Sequence, residues 1–179
     1  NLWVSDEATH QISNITVEGK VICQWGEHGD ADGEMNRPSG IAFDSNGDIF
    51  VADTLNHRIQ KFKTDGTFVM NFGSHGSEQG EFDMPWGIAI DELDDIYVAD
   101  WRNDRVQKFS SNGEFLFQIG ESGCEDGQFD RPSGVEIDKD GDIYVADWAN
   151  HRIQLFGPDG HFVEKFIGDA TLSRQAKDY

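Results

Sequence analysis

GDIFVADTLNHRIQKF, residues 47–62, recurs as DDIYVADWRNDRVQKF at 94–109 and as GDIYVADWANHRIQLF at 141–156. The copies lie 47 residues apart, and the same offset links Pro38, Pro85 and Pro132, then Asp53, Asp100 and Asp147, then Gly66, Gly113 and Gly160. An offset shared by several residue types without insertion marks an internal repeat. A period in the forties suits either a propeller blade or a pair of helices. The local chemistry decides between them. Each repeat is a series of apolar and β-branched runs of four to seven residues, punctuated by turn residues, and no longer stretch keeps a helical stripe. Asp65-Gly66, Asn112-Gly113 and Asp159-Gly160 predict type I′ hairpin turns. Each repeat is therefore four short antiparallel strands, the unit of an all-β propeller.

Working backwards by the same offset, Leu2-Trp3-Val4-Ser5-Asp6 aligns with Ile49-Phe50-Val51-Ala52-Asp53, Gly19 with Gly66, and Gly26 with Gly73. The first blade thus lacks its innermost strand. The predicted division is a partial blade 1 at 1–36, blade 2 at 37–83, blade 3 at 84–130 and blade 4 at 131–168. Residues 169–179 read as a polar tail or a helical turn behind Asp169. One four-stranded blade has two apolar faces and cannot bury both alone, so stacking against neighbours supplies the core.

Composition narrows the class of partner. The chain has 179 residues, 37% hydrophobic and 27% charged, which fits one packed domain. Asp plus Glu number 34 against 14 Lys plus Arg, a formal net charge of −20. The field repels polyanions, and no cluster of basic residues offers a nucleic-acid stripe, so nucleic acid is disfavoured and cationic or neutral partners are favoured. No apolar run is long enough to span a membrane as a helix, and no signal peptide is visible. The abrupt opening at Asn1-Leu2-Trp3 reads as a cut or a disordered boundary. Cys23 and Cys124 do not make a disulfide framework. Asn14-Ile15-Thr16 fits a glycosylation sequon, meaningful only in a secretory eukaryotic setting.

The repeated core resembles the NHL repeat, named for its Asn-His-(Leu/Arg) segment. The spacer GSHGSEQGEFDMP at 73–85, with its glycines, acidic-Phe pair and proline, is typical as well. The resemblance covers residues 1 to about 168 and implies a β-propeller, usually of six blades. Six periods need far more than 179 residues. The resemblance therefore implies an arc of a longer ring, two chains completing one ring by self-association, or a four-bladed closure. Blade 1's missing strand finds no match in the tail, which argues against simple self-closure.

Propellers usually bind ligands on the rim formed by the loops between strands two and three together with the loops between blades. Here that rim carries residues 7–10, 54–57, 101–104 and 148–151, with Arg37, Trp86, Arg131, His28 and His75 added by the spacers. Residues recurring in every blade read as structural. These are the Asp53–Asn56–Arg58 set with its counterparts, and the aromatics Trp3, Phe50, Tyr97 and Tyr144. The positions Trp25, Phe72, Ile119 and Phe166 read likewise as core. Residues that break the repeat are freer to serve a site. Trp86 replaces Ser39 and Ser133, and Trp101 and Trp148 replace Thr54. The candidate ligand- or partner-binding residues are therefore Arg37, His57, Trp86, Trp101, Arg102, Arg131, Trp148 and His151. Packing against a spacer is the alternative for the tryptophans, and pairing with nearby carboxylates is the alternative for the arginines.

No cofactor is called for. One exception is a transition metal on a rim of His10, His57, Asp104 and His151, against which stands the place of this histidine in the blade signature. The acidic loops at 44–48 and 138–142 echo calcium loops but lack the required Gly and Glu, and read as hairpin turns. The expected function is a non-catalytic binding or scaffold propeller for a protein or small-molecule partner. The alternative is a propeller lyase or hydrolase with part of its catalytic set in blades outside this sequence. The NHL-like peptide-amidating lyases take zinc through histidines directly after the prolines that open each blade. Ser39, Trp86 and Ser133 stand at those positions, so that activity is disfavoured.

Overall fold

The computed structural model describes residues 1–167. Blade 1 is the three-stranded sheet β1 (Leu2–Asp6), β2 (Gln11–Ile15) and β3 (Val21–Trp25). Blade 2 is β4 (Pro38–Phe43), β5 (Ile49–Asp53), β6 (Arg58–Phe62) and β7 (Phe68–Phe72). Blade 3 is β8 (Pro85–Ile90), β9 (Ile96–Asp100), β10 (Arg105–Phe109) and β11 (Phe115–Ile119). Blade 4 is β12 (Pro132–Ile137), β13 (Ile143–Asp147), β14 (Arg152–Phe156) and β15 (Phe162–Ile167). Every pairing is antiparallel and runs between consecutive strands. The tail or helical turn expected at 169–179 lies outside the described residues. No helix among the described residues is long and apolar enough to cross a membrane.

The core lies between blades. Ile12, Met35, Ile49, Val51 and Phe62 fill the space between blades 1 and 2. Phe50, Ile59, Phe82, Ile96 and Phe109 do so between blades 2 and 3, and Val106, Phe129, Ile143, Val145 and Phe156 between blades 3 and 4. Met35, Phe82 and Phe129 come from the spacers and are fully buried, so each loop leaving a blade also plugs the seam to the next. Toward the axis, β4, β8 and β12 lie side by side. Their glycines permit this approach: a Cβ on Gly87 would sit 2.7 Å from Gly134 Cα and 2.9 Å from Ser133 O.

The terminal blades keep open faces. Leu2, Val4 and Ile22 on blade 1 are exposed, as are Ile153, Val163, Phe166 and Ile167 on blade 4. Phe166, expected in the core, is 45% exposed. Its counterparts Trp25, Phe72 and Ile119 are each covered by the turn glycine of the following blade, Gly66, Gly113 and Gly160. No described residue does this for Phe166.

The hairpin turns differ from the type I′ expectation. Only Gly66 has a positive φ (90°), while Asp65 does not. Gly66 N–H donates to Lys63 O and Lys63 N–H to Thr67 O, both at 2.9 Å, with a register shift between Lys61 and Phe62. This is a three-residue loop, a type I turn closed by a glycine bulge. The Asp65 carboxylate accepts the Thr67 N–H at 2.9 Å, which favours the right-handed conformation at Asp65. The acidic loop at 44–48 makes the same turn, so its hairpin reading holds: Gly47 N–H donates to Asp44 O and Asp44 N–H to Asp48 O.

Candidate functional site

A buried polar clamp builds the rim of blades 2, 3 and 4. Asp53, fully buried at the end of β5, accepts bonds from Asn36 N–H (2.6 Å), Asn56 Nδ2 (2.8 Å), Arg58 Nε (2.8 Å) and Gln60 Nε2 (3.0 Å). The outer donors of this set then grip the preceding spacer by its carbonyls. Asn56 reaches Gly29 O, Arg58 reaches Asp30, Ala31 and Glu34, and Gln60 also reaches Glu34. Asp100–Asn103–Arg105–Gln107 and Asp147–Asn150–Arg152–Gln154 repeat the arrangement. The structural reading of the recurring Asp, Asn and Arg therefore holds, with Gln60 and its counterparts added to the set. Blade 1 departs from the pattern, with Asp6, Thr9, Gln11 and Ser13 at the four positions. There Asp6 only caps Ala8 and Thr9 N–H, at 2.9 and 3.1 Å.

A second link ties the rim together. His10, His57 and Asp104 follow the strand-two ends and have left-handed φ values of 60°, 54° and 52°. Each accepts the N–H of the residue before the next blade's first proline: Arg37 (3.0 Å), Met84 (3.1 Å) and Arg131 (2.8 Å). His151 occupies the same position in blade 4, where no such partner lies among the described residues. Successive blades thus carry these four groups in equivalent, separate places. Among the described residues they do not gather into one metal-binding group on the rim.

The departures from the repeat gather at blade 3. In blade 2, Ser39 and Thr54 are hydrogen-bonded through their hydroxyls at 2.7 Å. Their counterparts are Trp86 and Trp101, whose rings meet with centroids 5.5 Å apart and planes at 54°. The same contact is kept, but a polar pair has become two indoles. Trp86 is 38% exposed and Trp101 half-buried. The Arg102 and Arg131 guanidinium groups lie 5.8 and 5.4 Å from the Trp101 ring centre, within cation–π range. Around them, Asp83, Asp104 and Asp130 line a hollow with Trp101, Arg102 and Arg131. Glu7, Arg37 and Ser39 border Trp86 on its other side. Arg37 is occupied by Glu7 at 2.9 Å and Arg131 is 3.8 Å from Asp130. Arg102 makes no ion pair among the described residues.

The structure therefore brings together Arg37, Trp86, Trp101, Arg102 and Arg131. Trp148 and His151 line a different, shallow apolar cleft on blade 4 with Ile153, Phe166 and Ile167. His57 lies apart from that cleft and joins residues the sequence did not connect to it. His75 lies against it with ring centroids 4.3 Å apart and planes tilted by 59°, and Asp83 Oδ1 lies 3.5 Å from its Nδ1. Burial pushes the His57 pKa down and His75 and Arg102 push the same way, outweighing Asp83 and the Phe82 carbonyl. The imidazole is thus neutral at physiological pH.

Comparison with known proteins agrees with the repeat. The family pattern described as NHL repeat matches residues 35–62, 82–109 and 129–156. No curated protein matches the chain. Among solved structures, a streptogramin B lyase is similar at 18% identity and a TM-score of 0.71, over 94% of this chain and 51% of that one. A virginiamycin B lyase from Staphylococcus aureus is similar at 17% identity and a TM-score of 0.67, over 96% and 52%. The hydrazine synthase of Kuenenia stuttgartiensis is similar at 15% identity and a TM-score of 0.67, over 91% and 44%. The chain spans about half the length of these structures, and at such identities the likeness is one of fold.

Proposed function

Three of the four blades of this chain are NHL repeats of a β-propeller, and from that premise we propose that it is a non-catalytic binding module whose rim around Trp86 and Trp101 receives a protein or small-molecule partner. The observation that carries the reading is the paired substitution at one contact. Where blade 2 keeps Ser39 against Thr54, blade 3 places two indoles in contact, one of them 38% exposed. A fold that accepts a Ser–Thr pair there has no packing need for two tryptophans. Flat aromatic area with an indole N–H and flanking arginines is what partner hot spots are made of. The surrounding carboxylates and the net charge of −20 favour a partner that is neutral or cationic overall, steered by the field.

The test uses the repeat itself. Trp86→Ser with Trp101→Thr recreates the blade 2 pair in blade 3. Binding is measured against arrays of basic, neutral and acidic peptides, with single-stranded RNA as a further arm. The proposal expects selective capture by the wild type, weakened at least tenfold in the double variant, with a melting temperature within a few degrees. A sharp fall in melting temperature would make the two indoles core residues. Tight, steeply salt-dependent RNA binding would replace the proposal with a nucleic-acid function.

A further inference from the structure

We propose that His57, His75 and Asp83 form a binding site for a divalent transition metal of the zinc class, on the rim of blade 2. One ligand atom from each residue can be chosen so that all three lie within 4.8 Å of one another. Asp83 Oδ1 is 3.5 Å from His57 Nδ1 and 3.8 Å from His75 Nε2. Asp83 Oδ1 is itself buried and has no hydrogen-bond partner. A buried carboxylate oxygen without a donor is costly, and a cation between it and the two imidazoles would supply what it lacks. Two imidazoles and one carboxylate form a donor set suited to zinc and its neighbours, and the 67% exposure of the His75 side chain leaves further positions to water or a ligand.

The three side chains are delivered by backbone that is already fixed. Asp83 is pinned on both sides, its N–H donating to Asp100 Oδ1 at 2.8 Å and its carbonyl accepting from Arg102 N–H at 3.1 Å. His75 is held by the short bridge to Phe82, with Phe82 N–H donating to Ser74 O at 2.8 Å. His57 sits in its left-handed position and accepts Met84 N–H through Nδ1. An ion at this nitrogen takes the lone pair in place of that amide. The exchange is favourable because one net amide hydrogen bond is worth far less than metal coordination.

The sister blades act as internal controls. The equivalent residues are His10, His28 and Asn36 in blade 1, and Asp104, Ser122 and Asp130 in blade 3. The His10 and His28 rings are also in contact, with centroids 4.3 Å apart and planes tilted by 45°, so the histidine pair alone is compatible with packing. Of these three blades, only blade 2 adds a carboxylate to two imidazoles. The hollow beside Trp101 also borders Asp83, so a metal here would edge the binding rim without depending on it.

The experiment titrates the chelator-stripped full chain with zinc by calorimetry and with cobalt by visible absorption. The proposal expects one saturable site, a cobalt spectrum with imidazole character, and a rise in melting temperature on adding zinc. His75→Ser and Asp83→Asn install the residues of blades 3 and 1 and keep the fold. Each should weaken binding at least tenfold, while His28→Ser should leave it unchanged. No stoichiometric uptake, uptake that survives both blade 2 changes, or uptake lost equally in His28→Ser would each overturn the assignment. Peptide binding by the rim is scored separately with and without zinc, so failure of one reading leaves the other standing.

Discussion

At the scale of single residues, Asp100 is a place where one substitution should lower stability sharply. It is fully buried and accepts from Asp83 N–H, Asn103 and Arg105, all within 2.9 Å. Asp100→Ala would leave the buried Arg105 without its partner. Stability in urea should fall by about 3–5 kcal/mol, as for other broken buried pairs. Asp6→Ala, at the equivalent place in blade 1, should barely move the midpoint, because Asp6 makes only its local capping bonds. The sequence showed Asp53, Asn56 and Arg58 as structural because they recur with their spacing intact. It could not show that the outer donors hold the carbonyls of the previous spacer, since backbone acceptors leave no residue signature. The same limit applies to the site. Trp86 and Trp101 stood out singly as departures from the repeat, but their contact did not. The approach of His75 and Asp83 to His57 depends on how the spacer folds back.

At the scale of elements, the turns separate two costs that glycine normally hides. Gly47 and Gly66 both have left-handed φ, at 80° and 90°. A Cβ on Gly47 meets nothing within 4 Å, whereas one on Gly66 would lie 2.7 Å from Trp25. Gly47→Ala should therefore cost only backbone strain, roughly 1–2 kcal/mol. Gly66→Ala should cost clearly more, because Trp25 must also move, and thermal melts of the two variants compare them directly. Asp94 takes the Gly47 role in blade 3 with a φ of 63°, which shows that the strain alone is tolerated. The strands and their order followed from apolar runs and the fixed offset. The turn type did not, because Asp-Gly suits both a two-residue type I′ loop and a bulged three-residue one. The choice depends on which flanking residues pair, a matter of register.

At the scale of the whole molecule, the axis offers a test of what lies beside blade 4. Gly87→Ala would drive a methyl group into the backbone of β12, and the melting temperature should drop by several degrees. Gly134 is its counterpart one blade on, where a Cβ would meet only Ala146 at 3.6 Å. Gly134→Ala should be nearly silent in this chain if it is monomeric. If two copies join through the open faces of blades 1 and 4, the same change should become destabilising, and light scattering should show a concentration-dependent dimer. The clamps give the molecule a direction as well. Blades 2, 3 and 4 each seize the loop that came before, so a spacer is secured only once the residues 24–28 positions further along the chain have folded. Emerging from a ribosome, such a chain would fasten itself backwards one wedge at a time, always trailing a single unsecured loop. Blade 1, without the Arg and Gln of the other three, has no equivalent grip to offer an earlier loop.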